Sequence, residues 1–303
     1  MTKPLLVTLG GHEVLAKSLC VALGAERCRV EMRHFPDDET YFRYLAPVSG
    51  RDVIILASLD RPDGKFLPLF FSAETARELG ARQVGLVAPY LPYMRQDRRF
   101  QVGEAVTSSL FAKLLSAQVD WLVTVDPHLH RRESLSEIYR VPSLVLHAAP
   151  LMSDWIRQNV LNPLIVGPDS ESEQWVAAVA ERANAPHVVL KKVRRGDYEV
   201  EVTIPDLNRW RGHAPVLIDD IASTAQTMIK ALEQLSVGGL ERGVCVAVHG
   251  IFAGDAYKRL IEAGAAQVVT CNTIPHPSNS IDMTGLLAMG IASLLGYGNE
   301  SQS

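Results

Sequence analysis

Two adjacent aspartates, Asp219 and Asp220, end the apolar run of the stretch VLIDDIASTAQTM and are followed at once by small hydroxylic residues. Such neighbours repel each other unless a positive or hydroxyl-rich group lies beside them. Ser223 and Thr224 are good N-cap residues, and the unpaired N–H groups of a first helical turn bind anions. Because carboxylates accept hydrogen bonds from vicinal hydroxyls, the stretch predicts a sugar phosphate site, with the 5-phosphate on residues 223–227. The alternative is an ordinary strand, turn and capped helix.

Three arginines, Arg95, Arg98 and Arg99, follow a predicted strand in the stretch YLPYMRQDRRFQVGEAVTSS, which also contains aromatic residues. A planar guanidinium suits phosphate oxygens and also stacks on rings. The pattern therefore indicates a second anion-binding loop. An exposed charged loop, or a contact between subunits made by arginine and tyrosine, would produce the same pattern.

The stretch FPDDETYFRY places an aromatic ring among acidic residues. Phe35 has the kind of side chain that stacks on a purine, and Asp37 and Glu39 can accept hydrogen bonds from a base or a ribose. Together with the arginines, this stretch favours a nucleotide site in the first half of the chain.

Asp126, His128 and His130 alternate in the stretch TVDPHLHR, so an extended chain would place them on one side. Histidine with aspartate can hold a metal, although a pair of histidines is often structural. Zinc usually takes three or four nitrogen or sulfur ligands, whereas Mg²⁺ prefers oxygen and takes much of its shell from water and phosphates. One imidazole near a Mg²⁺–phosphate complex is compatible with the pattern without being diagnostic of it.

The stretch HVVLKKVRRGDYEVEVTIP is typical of two strands around a turn at RRGD. Lys192 and Arg194 are two positions apart and therefore point to the same side of the first strand. Two cations beside a turn suit a diphosphoryl group in transfer, because catalysis of phosphoryl transfer is mostly positioning and electrostatic stabilisation. The alternative is a pair of solvated charges that protect an edge strand.

These candidates are positioned by short β-rich runs that alternate with helical patterns, which predicts parallel sheets with helices on both faces. The runs read as strands are 5–10, 52–58, 83–90, 121–126, 163–169, 187–192, 215–220, 243–250 and 267–272. In such sheets ligands bind beyond the carboxyl ends of the strands, where most of the candidates fall.

Helices are predicted for HEVLAKSLCVALG and for EAVTSSLFAKLLSA, the latter with an apolar stripe of Val106, Leu110 and Leu114. A further helix after Thr227 has a stripe of Met228, Ala231, Leu232 and Leu235. The apolar stretch 283–298 is too short and too rich in glycine to span a bilayer, and it predicts a buried C-terminal helix.

The chain has 303 residues, and its two halves resemble each other in length and punctuation. We therefore expect two similar α/β domains, 1–147 and 148–303, with the last helix packing back on the first domain. The net charge of −4 gives no basic field for nucleic acid. The four cysteines lack CxxC spacing, which argues against a zinc site or a disulfide framework. We expect a cytoplasmic protein without a signal peptide or a membrane segment.

Several of these stretches occur in the order seen in ribose-phosphate pyrophosphokinases, and the chain resembles this family from about residue 5 to 290. The matching segments are FPDDETYFR, PYMRQDRRFQVGEAVTSS, TVDPHLHR, VGPDSE, KKVR, LIDDIASTAQT and CNTIPHP. The resemblance implies two phosphoribosyltransferase-like domains, each a mainly parallel sheet flanked by helices. It also implies a homo-oligomer that transfers the β,γ-diphosphoryl group of ATP to the 1-hydroxyl of ribose 5-phosphate with Mg²⁺, giving phosphoribosyl pyrophosphate and AMP.

The resemblance also assigns roles to individual residues. It implies catalytic roles for Lys192 and Arg194 and Mg²⁺-associated positions at His128 and Asp169. The positions that match ATP contacts are Phe35, Asp37, Glu39, Arg95 and Gln96. The positions that match the ribose 5-phosphate loop are Asp219, Asp220, Ser223, Thr224, Ala225, Gln226 and Thr227.

The chain departs from the family at three places. Asp38 and Ala225 stand where the family has glycine, and Glu171 and Glu173 lie in a segment that replaces a Gly-Gly pair. A divergent sugar preference or acceptor follows as an expectation. Two other functions stay open: a phosphoribosyltransferase that consumes phosphoribosyl pyrophosphate, which needs neither the arginine loop nor Lys192, and a nucleotide-binding regulatory homologue without catalysis.

Overall fold

The computed structural model describes residues 2–168, 172–195, 199–203, 208–240 and 242–296, with the backbone alone for 174, 191–195 and 199–203. Two compact units make up this part of the chain. The first contains the residues up to Leu146 together with those from Met283 onwards, and the second contains His147 to Asp282.

The first unit is built on a six-stranded parallel sheet in the order β2-β1-β5-β6-β7-β8. Its elements are β1 (Leu5–Thr8), α1 (Glu13–Leu23), β2 (Glu26–Arg27), β3 (Val30–His34), β4 (Thr40–Tyr44), β5 (Asp52–Leu56), α2 (Asp63–Glu78), β6 (Gln83–Ala88), α3 (Thr107–Ser116), β7 (Trp121–Val125), β8 (Ser143–Leu146) and, at the end of the chain, α8 (Thr284–Leu295). Strands β3 and β4 form a separate antiparallel hairpin.

The second unit has a six-stranded parallel sheet in the order β10-β9-β13-β14-β15-β16. Its elements are α4 (Ala149–Asn159), β9 (Pro163–Gly167), α5 (Glu173–Ala183), β10 (His187–Val189), β11 (Lys191–Arg195), β12 (Glu199–Thr203), β13 (Ala214–Ala222), α6 (Gln226–Val237), β14 (Val244–Gly250), α7 (Ala256–Glu262), β15 (Gln267–Cys271) and β16 (Asn279–Ile281). Strands β11 and β12 form an antiparallel hairpin.

Continuous apolar runs make the central strands of both sheets, because both faces of a parallel sheet are covered by helices. All residues of β5 and β7 are buried. Gly85 in β6 is required by this packing, since a Cβ at that position would lie 1.9 Å from the ring of Trp121. The predicted fold class, parallel sheets flanked by helices, is confirmed.

Two predicted strands differ from the observed ones near the candidate site residues. The run 187–192 is not one strand, because β10 belongs to the six-stranded sheet and β11 to the hairpin. The run 215–220 continues to Ala222, so Asp219 and Asp220 lie inside β13, where Asp219 still pairs with Ala247 of β14. The apolar Ile221 and Ala222 extend the pairing past the two charges.

The apolar stripe predicted for α3 is wrong. Leu110 and Leu114 are 55% and 52% exposed, whereas Phe111 and Leu115 are buried. The helix carries two apolar stripes one residue apart, and the larger ring of Phe111 packs into the core. The helix also begins at Thr107 rather than at Glu104.

The other helix predictions are confirmed. The predicted stripe of α6 is buried, and α8 buries Leu287, Ile291 and Leu295 along one face. All four cysteines are free, and Cys28, Cys245 and Cys271 are buried. In the described ranges, no helix combines the length and the apolar character that crossing a membrane requires.

Candidate active site

The turn after β13 joins two partly buried carboxylates to the start of a helix. Asp219 and Asp220 occupy the last part of β13, and the Asp219 carboxylate accepts a hydrogen bond from the N–H of Asp220 at 3.0 Å. The carbonyl oxygens of Ala222 and Ser223 accept the N–H groups of Phe252 and Ala253 at 2.9 and 3.0 Å. The segment after β14 therefore fixes this turn in place.

The N-cap of α6 is Ala225, and the prediction that Ser223 or Thr224 caps the helix is wrong. Ala225 adopts a left-handed conformation with φ of 56°, which directs the chain into the helix one residue later than expected. Within the described chain, no side chain caps the first turn of α6. The N–H groups of this turn are therefore suited to an anionic ligand.

The remaining residues of this turn differ in exposure. Ser223 and Thr227 are half-buried, whereas Thr224 and Gln226 are exposed. Their hydroxyl and amide groups can donate to an oxyanion held by the backbone of the turn. The structure thus brings all seven residues of the predicted ribose 5-phosphate site into one strand, turn and helix start.

The turn between β3 and β4 collects the three acidic and aromatic residues predicted to bind a nucleotide. The N–H of Phe35 donates to the carbonyl of Glu39 at 2.8 Å, and the N–H of Asp38 donates to the carbonyl of Phe35 at 3.0 Å. Asp37 and Glu39 are exposed, and Asp38 has a φ of 67°. An aspartate tolerates this left-handed conformation better than most residues, which accounts for its presence at a position where glycine is typical.

An arginine packs on the aromatic side of the same hairpin. The guanidinium of Arg33 lies 4.7 Å from the ring centroid of Phe35 and 4.4 Å from that of Tyr41. The two rings meet edge to face at 5.9 Å. Sequence reasoning missed Arg33 and Tyr41, although both lie near Phe35 on adjacent strands.

The three arginines after β6 do not form one cluster of equivalent groups. The guanidinium of Arg98 lies 4.8 Å from the centroid of Phe100, and Arg99 Nε donates to the carbonyl of Glu104 at 2.9 Å. Arg95 is exposed beside Gln96. Two of the three arginines therefore also stabilise the shape of their own loop.

Gln96 is oriented by the start of α3. Its amide oxygen accepts a hydrogen bond from the Thr107 hydroxyl at 2.8 Å, and its carbonyl accepts the N–H of Ser108 at 3.3 Å. The amide oxygen is thus directed to the protein, so the N–H donors of Gln96 are the atoms suited to a nucleotide oxygen.

Two further arginines, which sequence reasoning missed, join the loop after β7 to the loop after β6. Arg131 Nη1 lies 3.1 Å from a carboxylate oxygen of Asp97, whose side chain is 3% exposed. Arg132 donates to the hydroxyls of Ser108 and Ser109 at 3.2 and 3.1 Å. Their adjacency to TVDPHLH was the available signal. They are positioned to hold the loop that carries Arg95 and Gln96.

The rings of His128 and His130 pack against each other, with centroids 3.7 Å apart and planes inclined by 31°. His128 is half-buried and His130 is exposed. Asp126, two residues earlier, has a φ of 33° at the carboxyl end of β7. Asp169 lies outside the described residues, so its predicted role stays a prediction.

Lys192 and Arg194 lie on β11, opposite Val202 and Val200 of β12. The predicted pair of strands around RRGD therefore exists as an antiparallel hairpin. The predicted catalytic roles concern the side chains and stay a prediction.

Two titratable groups of the first unit, Tyr93 and His12, have shifted pKa values. A hydrogen bond to Asp63 raises the pKa of Tyr93 to about 12, with a smaller contribution from desolvation. Burial lowers the pKa of His12 to about 4, and the negative charge of Asp60 offsets part of this effect. Both groups therefore stay neutral at pH 7.

Comparisons with known proteins agree with this description. A family model described as the N-terminal domain of ribose phosphate pyrophosphokinase matches residues 5–118, and one described as the phosphoribosyl transferase domain matches residues 134–284. A crystal structure of phosphoribosylpyrophosphate synthetase from Mycobacterium smegmatis shares the fold, with a TM-score of 0.85 at 24% identity, covering 98% of this chain and 100% of that one.

Curated relatives named ribose-phosphate pyrophosphokinase cover nearly the whole chain. The protein of Saccharolobus solfataricus is 34% identical over 271 residues, which is 88% of this chain and 90% of the relative. The protein of Methanothermobacter thermautotrophicus is 32% identical over 285 residues, which is 94% of this chain and 98% of the relative.

Two α/β units, each a parallel sheet flanked by helices, define a protein of the phosphoribosyltransferase structural class. The chain belongs to the ribose-phosphate pyrophosphokinase family. This membership confirms the predicted fold class and the predicted diphosphokinase activity, and the comparisons do not favour the two alternative functions.

Proposed function

We propose that the chain binds ribose 5-phosphate at residues 219–227 and transfers to its 1-hydroxyl the β,γ-diphosphoryl group of ATP. The observation that carries the proposal is the turn after β13, where two carboxylates precede a helix start without a side-chain cap. The carboxylates suit the ribose hydroxyls, and the N–H groups of the helix start suit the 5-phosphate.

The proposed nucleotide contacts lie in the first unit. Phe35 stacks on the adenine, Asp37 and Glu39 accept hydrogen bonds from the nucleoside, and Arg95 and Gln96 bind phosphate oxygens. The orientation of the Gln96 amide by Thr107 supports its role as a donor. The exposure of Phe35, at 40%, supports a role in stacking on a ligand.

In the proposed reaction the 1-hydroxyl oxygen forms a bond to the β-phosphorus, opposite the oxygen that bridges the α- and β-phosphorus atoms. The bond from the β-phosphorus to this bridging oxygen breaks, AMP leaves, and the hydroxyl proton goes to solvent. Lys192 and Arg194 stabilise the negative charge that develops on the phosphoryl oxygens. Asp219 and Asp220 orient the ribose for this attack.

We propose Mg²⁺ as the metal, associated with His128 and Asp169. His128, the described member of this pair, fits an ion that keeps several waters, because its packed ring can contact such a water. Mg²⁺ supplies charge neutralisation on the ATP oxygens when bound. We further propose, from the family resemblance, a homo-oligomer in the cytoplasm.

The test is a product assay by mass spectrometry with ATP, Mg²⁺ and a panel of pentose phosphates. We expect AMP and phosphoribosyl pyrophosphate in equal amounts, with ribose 5-phosphate as the best acceptor. Formation of ADP would contradict diphosphoryl transfer, and binding of both substrates without AMP would favour a regulatory homologue. Consumption of phosphoribosyl pyrophosphate by an added base would favour a phosphoribosyltransferase.

A further inference from the structure

The side chain of Gln226 contacts an arginine that the predicted site does not include. In the amide orientation that satisfies both of its ends, the oxygen of Gln226 accepts hydrogen bonds from Arg259 Nη1 and Nη2 at 2.7 and 2.8 Å. Gln226 is the first residue of α6, and Arg259 lies half-buried on α7. The guanidinium of Arg259 is therefore held within side-chain reach of residues 219–227, the proposed ribose 5-phosphate site.

The helix that carries Arg259 is fixed beside this turn. The segment between β14 and α7 donates two main-chain hydrogen bonds to it, from Phe252 to Ala222 and from Ala253 to Ser223, at 2.9 and 3.0 Å. The position of the guanidinium is set by these bonds as well as by Gln226. A group that is already in place loses less conformational entropy when a ligand binds.

The contact with Gln226 occupies only one edge of the guanidinium. A single oxygen between Nη1 and Nη2 uses the inner N–H of each nitrogen. The edge formed by Nε–H and an outer Nη–H matches two oxygens of a phosphate.

The negative charge of the turn itself also favours a cation beside the phosphate. The stretch from Asp219 to Thr227 contains two carboxylates and no cation. A phosphate dianion at the helix start would therefore add negative charge to a turn that is already negative, and a cation from a neighbouring element compensates for it.

We infer that Arg259, oriented by Gln226, binds the 5-phosphate of the sugar phosphate and selects for a phosphorylated pentose. This inference rests on the proposed function, because it assumes that ribose 5-phosphate occupies residues 219–227. In this arrangement Arg259 is a binding residue, and Gln226 also acts as a positioning residue for it.

The test compares Arg259→Gln and Gln226→Ala with Lys258→Ala, a matched control on the same helix whose amine pairs with Glu262 at 3.5 Å. We expect Arg259→Gln to raise the KM for ribose 5-phosphate roughly tenfold, the usual order for a lost hydrogen bond to a charged group, with kcat and the KM for ATP little changed. Gln226→Ala should raise this KM severalfold, and the rise in the double variant should be smaller than the product of the two single rises, because the two side chains share one contact. The control should behave as the wild type.

A second variant distinguishes weaker binding from a loss of folding. Gln226→Glu keeps a partner for Arg259 but neutralises its charge, so it should weaken ribose 5-phosphate binding without lowering the melting temperature. An unchanged KM in both Arg259→Gln and Gln226→Glu would overturn the inference. An equal rise in the KM for both substrates together with a lower melting temperature would also overturn it, because it would indicate a structural role.

Calorimetric titration of ribose 5-phosphate into the full chain separates this inference from the proposed function. If the wild type binds ribose 5-phosphate but forms no AMP, the proposed reaction fails, and weaker binding by Arg259→Gln still supports the inference. Equal affinity of the two proteins overturns the inference whatever the turnover. Absence of binding by the wild type overturns both.

Discussion

The two units share one strand order but differ at corresponding turns. Strand β5 occupies in the first sheet the place that β13 occupies in the second. A left-handed residue follows each strand, Arg61 with φ of 51° and Ala225 with φ of 56°. Ala225 is the N-cap of α6, whereas Arg61 precedes Pro62, the N-cap of α2, and the two turns also differ in the side chains around them.

In the first unit the turn is filled by the protein's own charges. Lys65 donates to the carbonyl of Ser58 at 2.9 Å and to the carboxylate of Asp60 at 2.6 Å. The buried ring of His12 lies close enough to both charges for them to influence its pKa. The first turn of α2 also carries an acidic residue, Asp63, which disfavours an anion there.

In the second unit the start of α6 at the corresponding turn has no side-chain cap among the described residues. The two sheets therefore place a turn at the same position, and only the turn of the first unit contains an ion pair of its own, between Lys65 and Asp60, among the described residues. The two hairpins also differ, and each follows an edge strand of its sheet. The first has an acidic and aromatic turn, whereas the second carries Lys192 and Arg194.

The largest expected effect is the loss of turnover in Lys192→Ala, a change in the hairpin of the second unit. Removing one cation that stabilises developing charge typically lowers the rate by roughly a hundredfold or more. We expect kcat to fall by this order while the affinity for ribose 5-phosphate, measured by calorimetry, stays close to that of the wild type.

Lys191→Ala is the control for this prediction. It removes the same charge at the adjacent position of β11. Turnover near the wild-type value in Lys192→Ala, or an equal loss in Lys191→Ala, would argue that the catalytic cation lies elsewhere.

The next largest effect is expected at the two turns themselves. Asp220→Asn removes the charge of an acceptor for the ribose hydroxyls, and we expect it to raise the KM for ribose 5-phosphate by about thirtyfold. Asp60→Asn, at the filled turn of the first unit, should leave this KM within about twofold and mainly lower stability, because Lys65 loses its charged partner. Steady-state kinetics with each substrate varied in turn, together with melting temperatures, tests this. A larger rise in the KM for ribose 5-phosphate in Asp60→Asn than in Asp220→Asn would contradict the prediction.

A smaller effect concerns the buried His12 of the filled turn. The folded protein holds His12 neutral down to about pH 4, whereas the unfolded chain takes up the proton near pH 6.5. The stabilising contribution is therefore fully present above pH 6.5 and is lost as the pH falls towards 4. It corresponds to about 2 kcal/mol of the free energy of unfolding between pH 7 and pH 5.

His12→Asn should remove this part of the pH dependence. Calorimetric melting at pH 7 and pH 5 measures it, and we expect the melting temperature of the wild type to fall more than that of the variant. Equal falls in the two proteins would indicate that His12 is accessible to protons in the folded state.

The sheets could be predicted because their strands are continuous apolar runs, such as DVIIL and WLVTV, that only a fully covered strand needs. The turn after β13 brings residues 219–227 together because they are contiguous, and their role in binding ribose 5-phosphate stays a prediction. In contrast, the contact of Gln226 with Arg259 joins residues 33 positions apart, and no local pattern specifies it.

The errors have physical reasons of the same kind. Ser223 and Thr224 have good capping side chains, but the left-handed Ala225 shifts the helix start beyond them. In α3, local periodicity could not choose between Leu110 and Phe111, because tertiary packing decides which of two adjacent stripes is buried. Both features depend on contacts that sequence spacing does not contain.

The smallest expected effect concerns the two left-handed residues, Arg61 and Ala225. An alanine or arginine in this conformation costs about 1–2 kcal/mol, and glycine relieves this cost while losing about 0.5–1 kcal/mol through the entropy of the unfolded chain. Arg61 is exposed, so Arg61→Gly should raise the free energy of unfolding by about 0.5–1 kcal/mol. Ala225 is only 7% exposed, and Ala225→Gly also loses a buried methyl group worth about 0.8 kcal/mol, so its stability should hardly change. Ala225→Gly should instead lower the KM for ribose 5-phosphate severalfold, because a backbone without a Cβ approaches the phosphate more closely. Steady-state kinetics on both variants measures this KM. A larger fall in Arg61→Gly than in Ala225→Gly would contradict the prediction.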